Sequence, residues 1–198
     1  MLVVALNGSP NENGNTMFLL NELKGHIESL GAKFEIIDVQ KSILDCKQPF
    51  CINCISPCNQ NCLRGTKLEE AYNKITDADA VIVASPVYFG TITGQLKCFF
   101  DKSRYIRTGK KWIGKIGASV TVGASKYGGQ ENATNTIHNI LMVHGFDIVN
   151  DGYEEFDAGH FGVSAQEPAN EDRYAIKRAK VLAYRIVDNI KKKGVKNG

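Results

Sequence analysis

The sequence predicts a doubly wound α/β fold: a five-stranded parallel sheet in the order 2-1-3-4-5, with helices on both faces. Three observations carry that expectation. Five short apolar runs alternate with amphipathic segments along 198 residues, the pattern of βαβ units rather than hairpins. Runs such as AVIVA at 80–84 are apolar at every position, as strands covered on both faces are. A turn rich in Gly, Ser and Asn closes the first run and opens the first helix, where ligands of such sheets bind.

The elements follow in order. Leu2–Leu6 is a buried strand ending at Asn-Gly-Ser-Pro. Asn15–Leu30 carries Met17, Leu19, Leu20, Leu23, Ile27 and Leu30 at helical spacing and stops at Gly31. Phe34–Val39 is the second strand. Residues 41–66 have no periodicity and form a cysteine-rich insertion. Lys67–Thr76 is a short helix, and Ala80–Ala84 the third strand, ended by Ser85-Pro86. Thr93–Tyr105 is a helix bearing Leu96, Phe99 and Phe100, and Ile116–Val122 the fourth strand. Ala133–His144 is a helix, Phe146–Val149 the fifth strand, and Glu171–Lys193 a long closing helix. No internal repeat or linker interrupts them. Right-handed crossovers leave few topologies, and the switch point then falls between the first and third strands.

Size and composition set bounds. A chain of this length buries a sizeable core, so residues 1–198 are expected to form one domain. Hydrophobic residues are 43% and charged residues 23%, ordinary for a globular protein. A net charge of +3 is too small to argue for nucleic acid. The opening MLVVALNGSP has no basic region before its apolar run and reads as a strand, not a signal peptide. No stretch approaches the ~20 apolar residues that span a bilayer. A cytoplasmic location is the resulting expectation.

Five of the six cysteines, Cys46, Cys51, Cys54, Cys58 and Cys62, fall within seventeen residues. Thiols this dense are metal ligands, disulfides or redox groups more often than packing residues. A reducing cytosol disfavours structural disulfides. Cys98, in LKCFFD, reads as a core thiol.

The loop from Asn7 to Thr16 follows a strand and opens a helix, so backbone N–H groups and the helix dipole face its occupant. Ser9, Asn15 and Thr16 add neutral donors. The spacing from Gly8 to Gly14 is one residue too long for a Walker motif, and Asn15 stands where its Lys would be. Nor does the loop match G-x-G-x-x-G. A nest of amides and hydroxyls without a cation suits a terminal monophosphate, as in a mononucleotide; an N-cap turn is the plainer reading. Ser85–Gly90 ends the third strand with adjacent aromatics, Tyr88 and Phe89, placed to flank a planar ring. Gly123–Gly129 follows the fourth.

Together, GSPNENGNT at 8–16, SPVYFG at 85–90 and VGASKYGGQE at 122–131 resemble the flavodoxin-like, NADPH-dependent FMN reductase family over roughly residues 1–150. The cysteine-rich insertion resembles that of the iron–sulfur flavoprotein branch, which holds a 4Fe-4S cluster. The resemblance implies that Ser9, Asn15 and Thr16 hold the FMN phosphate, with Asn11 and Asn13 as additions. It implies that Pro86, Val87, Tyr88, Phe89 and Gly90 line the isoalloxazine ring, and that Gly123, Tyr127 and Gly128 close its other edge. The chemistry is then at the flavin N5, with no obligatory catalytic side chain.

The cysteine gaps of four, two, three and three residues depart from the family pattern of two close C-x2-C steps and a longer gap. Two ligand sets stay open: Cys51, Cys54, Cys58 and Cys62, or a set that begins at Cys46. Four thiolates also suit zinc, but zinc sites commonly separate two C-x2-C pairs by a dozen or so residues. Crowding favours a compact cluster; zinc and free thiols are the alternatives.

His26, His138 and His144 fall on helices as surface or packing residues, and His160 could reach a neighbouring subunit's site. Lys191–Lys193 reads as a helix C-terminal cap. The functional expectation is a homodimeric or homotetrameric redox protein that joins FMN to a 4Fe-4S cluster and a small-molecule acceptor or a ferredoxin-like donor. NAD(P)H is a possible transient donor. A cluster-free NAD(P)H-dependent FMN or quinone reductase is the alternative. A non-catalytic carrier fits less well, because flavodoxins dock through acidic surfaces and this chain is slightly basic.

Overall fold

The computed structural model describes residues 1–196. Its strands are β1 (Leu2–Asn7), β2 (Lys33–Asp38), β3 (Ala80–Pro86), β4 (Ile116–Gly123), β5 (Asp147–Ile148) and β6 (Val163–Gln166). Its helices are α1 (Asn15–Ser29), α2 (Val39–Leu44), α3 (Lys67–Asp77), α4 (Gly94–Asp101), α5 (Arg104–Thr108), α6 (Gln130–Val143) and α7 (Arg173–Lys196). All sheet pairs are parallel, in the order β2-β1-β3-β4-β5. The fold is therefore the flavodoxin-like one expected, with the cysteine-rich segment between α2 and α3.

The central strands β1 and β3 are apolar on both faces because each face is covered, whereas β4 turns Ser119 and Thr121 to one face, where they meet His138 and Thr134 of α6. Val3 and Ala5 of β1 and Ala80, Ile82 and Ala84 of β3 join one core with Leu19, Leu20, Leu23 and Ile27 of α1 and Leu182 and Ile186 of α7. The alternate residues Val4, Leu6, Val81 and Val83 join a second core with Tyr72, Phe99, Trp112 and Ile137. Period-two alternation thus splits one apolar run between two cores. Among the described residues no helix is long and apolar enough to cross a membrane.

Four local expectations need correction. Residue 39 is not in the second strand: Asp38 ends β2, its Oδ1 accepts from Lys41 N at 2.9 Å, and that cap starts α2. The Thr93–Tyr105 helix is two helices, broken where Ser103 Oγ donates to the Phe100 carbonyl at 2.6 Å and competes with the helical ladder. The α6 helix begins at Gln130, three residues earlier than expected. The fifth strand position is shared: β5 pairs with Ile116 and Gly117, and β6 pairs with Val120–Gly123. An excursion over 149–162 separates the two.

Candidate functional site

Three loops meet at the carboxyl ends of β1, β3 and β4. In the first, side-chain oxygens brace the backbone in steps of two. Asn7 Oδ1 accepts from Ser9 N, Ser9 Oγ from Asn11 N, and Asn11 Oδ1 from Asn13 N, each at 3.1 Å. The expected donors Ser9 and Thr16 are buried, Asn15 is half-buried, and Asn11 and Asn13 are exposed. Helix α1 starts from Gly14, which makes no side-chain cap, and its first turn holds no acidic residue. Its first-turn amides and positive dipole end are therefore left for an anion. Asn7 Nδ2 is buried without a partner among the described residues, an unused donor under the same loop. These features fit a phosphate.

Asn15 turns out to serve the scaffold as well, since its Oδ1 accepts from Ala169 N at 2.8 Å. That bond brings a fourth segment, after β6, to the mouth of α1. No sequence motif marks Ala169. Thr93 was also missed: its Oγ1 donates to the Gly8 carbonyl at 2.7 Å and accepts from Leu96 N at 3.2 Å. It caps α4 and pins the first loop at once.

The second and third loops abut. Val87 N donates to the Val122 carbonyl at 2.8 Å. A Cβ on Gly129, whose φ is +91°, would lie 3.1 Å from Gly90 Cα and from Val87 Cγ1, so a side chain there would be strained and would push the two loops apart. Beside this contact, Phe89 (φ 48°) and Tyr127 (φ 59°) hold left-handed backbone that costs non-glycine residues of order 1 kcal/mol or more. Both rings are almost fully exposed, and Tyr88 is half-exposed. Gly123 sits against Gln130, whose Nε2 braces the third loop through the Ser125 carbonyl at 2.9 Å; Gly128 N donates to the same carbonyl at 3.0 Å. Exposed aromatics on two loops across a glycine contact can flank a planar ring system; Tyr127 meanwhile has Lys126 Nζ 5.4 Å from its ring centre.

The cysteine loop differs in kind. Cys54 and Cys62 are exposed, Cys51 and Cys58 half-buried, and Cys46 is buried. Cys46 belongs to the second core, with Sγ 4.0 Å from the Ser42 carbonyl and from Thr66 Oγ1; burial pushes its thiol pKa up. Among the described residues no three metal-ligating side chains are gathered at one point, so holding a metal would require the loop thiols to converge. A cation already faces them: Lys102 Nζ lies 3.9 Å from Cys62 Sγ. Thiols with a buried positive neighbour fit an anionic thiolate centre. Thr93, tied to the first loop, and Lys102, tied to the cysteine loop, stand at opposite ends of α4, about 13 Å apart along its axis.

The remaining candidates are packing residues or lie elsewhere. Cys98 is partly buried, and burial raises its pKa. His144 Nδ1 donates to the Ile140 carbonyl at 2.8 Å, and its Nε2 lies 2.7 Å from Ser103 Oγ. His138 Nε2 lies 3.0 Å from Ser119 Oγ, and His26 is half-buried on α1. His160 is exposed and lines a cleft of about 810 Å³ at the sheet edge with His138, Tyr174 and Arg178.

Residues 1–159 match the NADPH-dependent FMN reductase family. The chain is 34% identical to an iron-sulfur flavoprotein of Methanocaldococcus jannaschii, over 96% of this chain and 98% of that one. It is 30% identical to an iron-sulfur flavoprotein of Archaeoglobus fulgidus, over 95% of this chain and 94% of that one. Among solved structures its fold is similar to that of a WrbA-like flavodoxin from Agrobacterium tumefaciens, with a TM-score of 0.67 and 20% identity over 96% of both chains.

Proposed function

Because this chain belongs to the NADPH-dependent FMN reductase family and its iron-sulfur flavoprotein branch, and is a flavin-dependent oxidoreductase that uses FMN, we propose that it passes electrons between a 4Fe-4S cluster, FMN and a small acceptor or donor. FMN supplies one- or two-electron chemistry and the cluster one-electron chemistry. The protein's work is to hold, orient and shield. The observation that supports this reading best is the uncapped start of α1 at the switch point, next to two exposed, left-handed aromatics.

In this reading Ser9, Thr16 and the first-turn amides of α1 hold the phosphate. Asn15 adds its amide while its oxygen ties down Ala169. Asn11 and Asn13 shape the loop through its chain of side-chain turns. Pro86, Val87, Tyr88, Phe89 and Gly90 line one side of the ring; Gly123, Tyr127 and Gly128 close the other and exclude water. Cys51, Cys54, Cys58 and Cys62 hold the metal, and the core position of Cys46 makes it the reserve. Residues 1–198 act as one FMN-binding unit in a homodimer or homotetramer, in a reducing cytoplasm, with a ferredoxin-like protein or NAD(P)H as donor.

The test is absorption with iron and sulfide analysis of anaerobically purified protein. Flavin bands above a broad charge-transfer shoulder, with about four irons per chain, are expected. Replacing Cys51 and Cys54 with Ala should remove iron and leave FMN bound. Flavin without iron or sulfide, after anaerobic reconstitution, together with NAD(P)H oxidation in the absence of an electron carrier, would establish the cluster-free reductase instead.

A further inference from the structure

Lys102 is a cation buried without a carboxylate. It is 4% exposed. Its Nζ donates to the Gln48 carbonyl at 2.7 Å and reaches Cys62 Sγ at 3.9 Å. Among the described residues it enters no ion pair. The neighbouring carboxylate, Asp101, is engaged outward by Lys97 at 2.6 Å. Lysine is almost never this buried unless paired, because removing an ammonium from water costs several kcal/mol. Both protein groups that the ammonium meets lie in the cysteine loop, one of them a thiol.

The end of α4 aims it. Lys102 keeps near-helical backbone (φ −80°, ψ −9°), and its N donates to the Cys98 carbonyl at 3.2 Å, so it occupies the last regular position before Ser103 turns its Oγ to the Phe100 carbonyl. The side chain then crosses to the segment from Gln48 to Cys62.

We propose that Lys102 is a positioning residue whose buried ammonium supplies the counter-charge for the thiolate-bound group of the cysteine loop and favours its more negative, reduced state. The inference rests on the cluster reading given above. A fixed charge in a poorly hydrated place acts strongly, because screening there is weak. Net charge and hydrogen bonds to sulfur are among the features that set the potential of such centres. Lys102 offers both to Cys62.

The experiment compares anaerobically purified wild-type protein with Lys102→Gln, Lys102→Arg and Lys97→Met, by iron content, FMN content and a mediated redox titration followed by EPR. Glutamine keeps a donor for the Gln48 carbonyl and removes the charge; arginine keeps the charge. We expect Lys102→Gln to weaken reduction at least tenfold, a fall of about 59 mV for a one-electron couple. Lys102→Arg should restore most of it, and Lys97→Met, on the exposed side of the same helix, should leave the midpoint unchanged. Loss of iron from Lys102→Gln but not from Lys102→Arg, with FMN retained in both, would also support the counter-charge. Iron-loaded Gln and Arg variants with equal midpoints would overturn it. Wild-type protein that takes up no iron would overturn the cluster reading and this inference together.

Discussion

Arg178 of α7 and Asp151 of the excursion between β5 and β6 form a buried ion pair, with Nε 2.5 Å from Oδ2 and side chains 3% and 1% exposed. Arg178 Nη1 also donates to both Asp157 oxygens, at 2.9 and 2.8 Å, and Asp151 Oδ1 accepts from His160 N at 2.6 Å. One guanidinium thus fastens the whole excursion to the closing helix. Arg178→Ala leaves Asp151 buried and unpaired, and should cost about 3–5 kcal/mol in urea unfolding. Replacing both partners, Arg178→Met with Asp151→Leu, should recover part of that loss.

Gly14→Asp tests the anion site directly. The N-cap backbone is extended there, with φ −85°, which any residue adopts, but a Cβ would lie 3.0 to 3.2 Å from Asn11 Nδ2, Cγ and Cβ, so the loop must give slightly. Exchanging Gly for Asp at an N-cap changes stability by only a few tenths of a kcal/mol. A carboxylate over the first-turn amides should nevertheless repel a phosphate. We expect FMN affinity to fall at least tenfold, about 1.4 kcal/mol, by calorimetric titration of apoprotein, and Gly14→Ala, which adds the same Cβ without the charge, to bind FMN more tightly than Gly14→Asp.

Phe89 and Tyr127 give a trade-off between stability and binding. Asparagine tolerates left-handed backbone better than an aromatic residue does. Phe89→Asn and Tyr127→Asn should each stabilise the apoprotein by up to about 1 kcal/mol while weakening FMN binding. Variants that bind FMN as well as the parent would show that these rings do not flank the flavin.

Acid should destabilise the protein well before its carboxylates titrate. Burial holds His144 below the ordinary histidine pKa of 6.5, helped by Arg107 and opposed by the Ile140 carbonyl. His138 is lowered in the same way by burial, against the Phe161 carbonyl. The unfolded chain takes up these protons near 6.5 and the folded protein only at lower pH. The stability contributed is therefore fully present above 6.5 and is lost as pH falls through the folded pKa values. Thermal unfolding between pH 7.5 and 5 should show a falling Tm. Changing both histidines to Gln should flatten that slope, even though it lowers Tm at pH 7.5.

Most of the framework was legible because it rests on local signals. Apolar runs such as AVIVA and Leu19, Leu20, Leu23 and Ile27 declare buried strands and helix faces without knowledge of their neighbours. The strand, Gly-Ser turn and helix of the first loop were legible for a similar reason, since they are contiguous in sequence. What escaped depends on contacts between distant segments. Lys102 reads as an ordinary helix lysine until the fold brings Gln48 and Cys62 to it. Ala169 matters only because Asn15, 154 residues away in sequence, accepts its N–H. The sixth strand escaped because VSAQ is short and half polar, and becomes a strand only beside β4. The split of the Thr93–Tyr105 helix turned on one serine hydroxyl, too weak a cue to outweigh the apolar spacing around it.

The divided fifth strand also limits how a second copy could approach this side of the sheet. A sheet that ended in one long flat ribbon would offer a row of unpaired N–H and C=O groups to any passing strand, the usual beginning of edge-to-edge aggregation. Here the edge beside β4 is a two-residue step and a four-residue step, set apart by an excursion that Arg178 locks down. Strand addition along that edge has too little continuous backbone to propagate. A second copy that met this side would therefore contact side chains of the excursion and its flanking helices rather than extend the sheet.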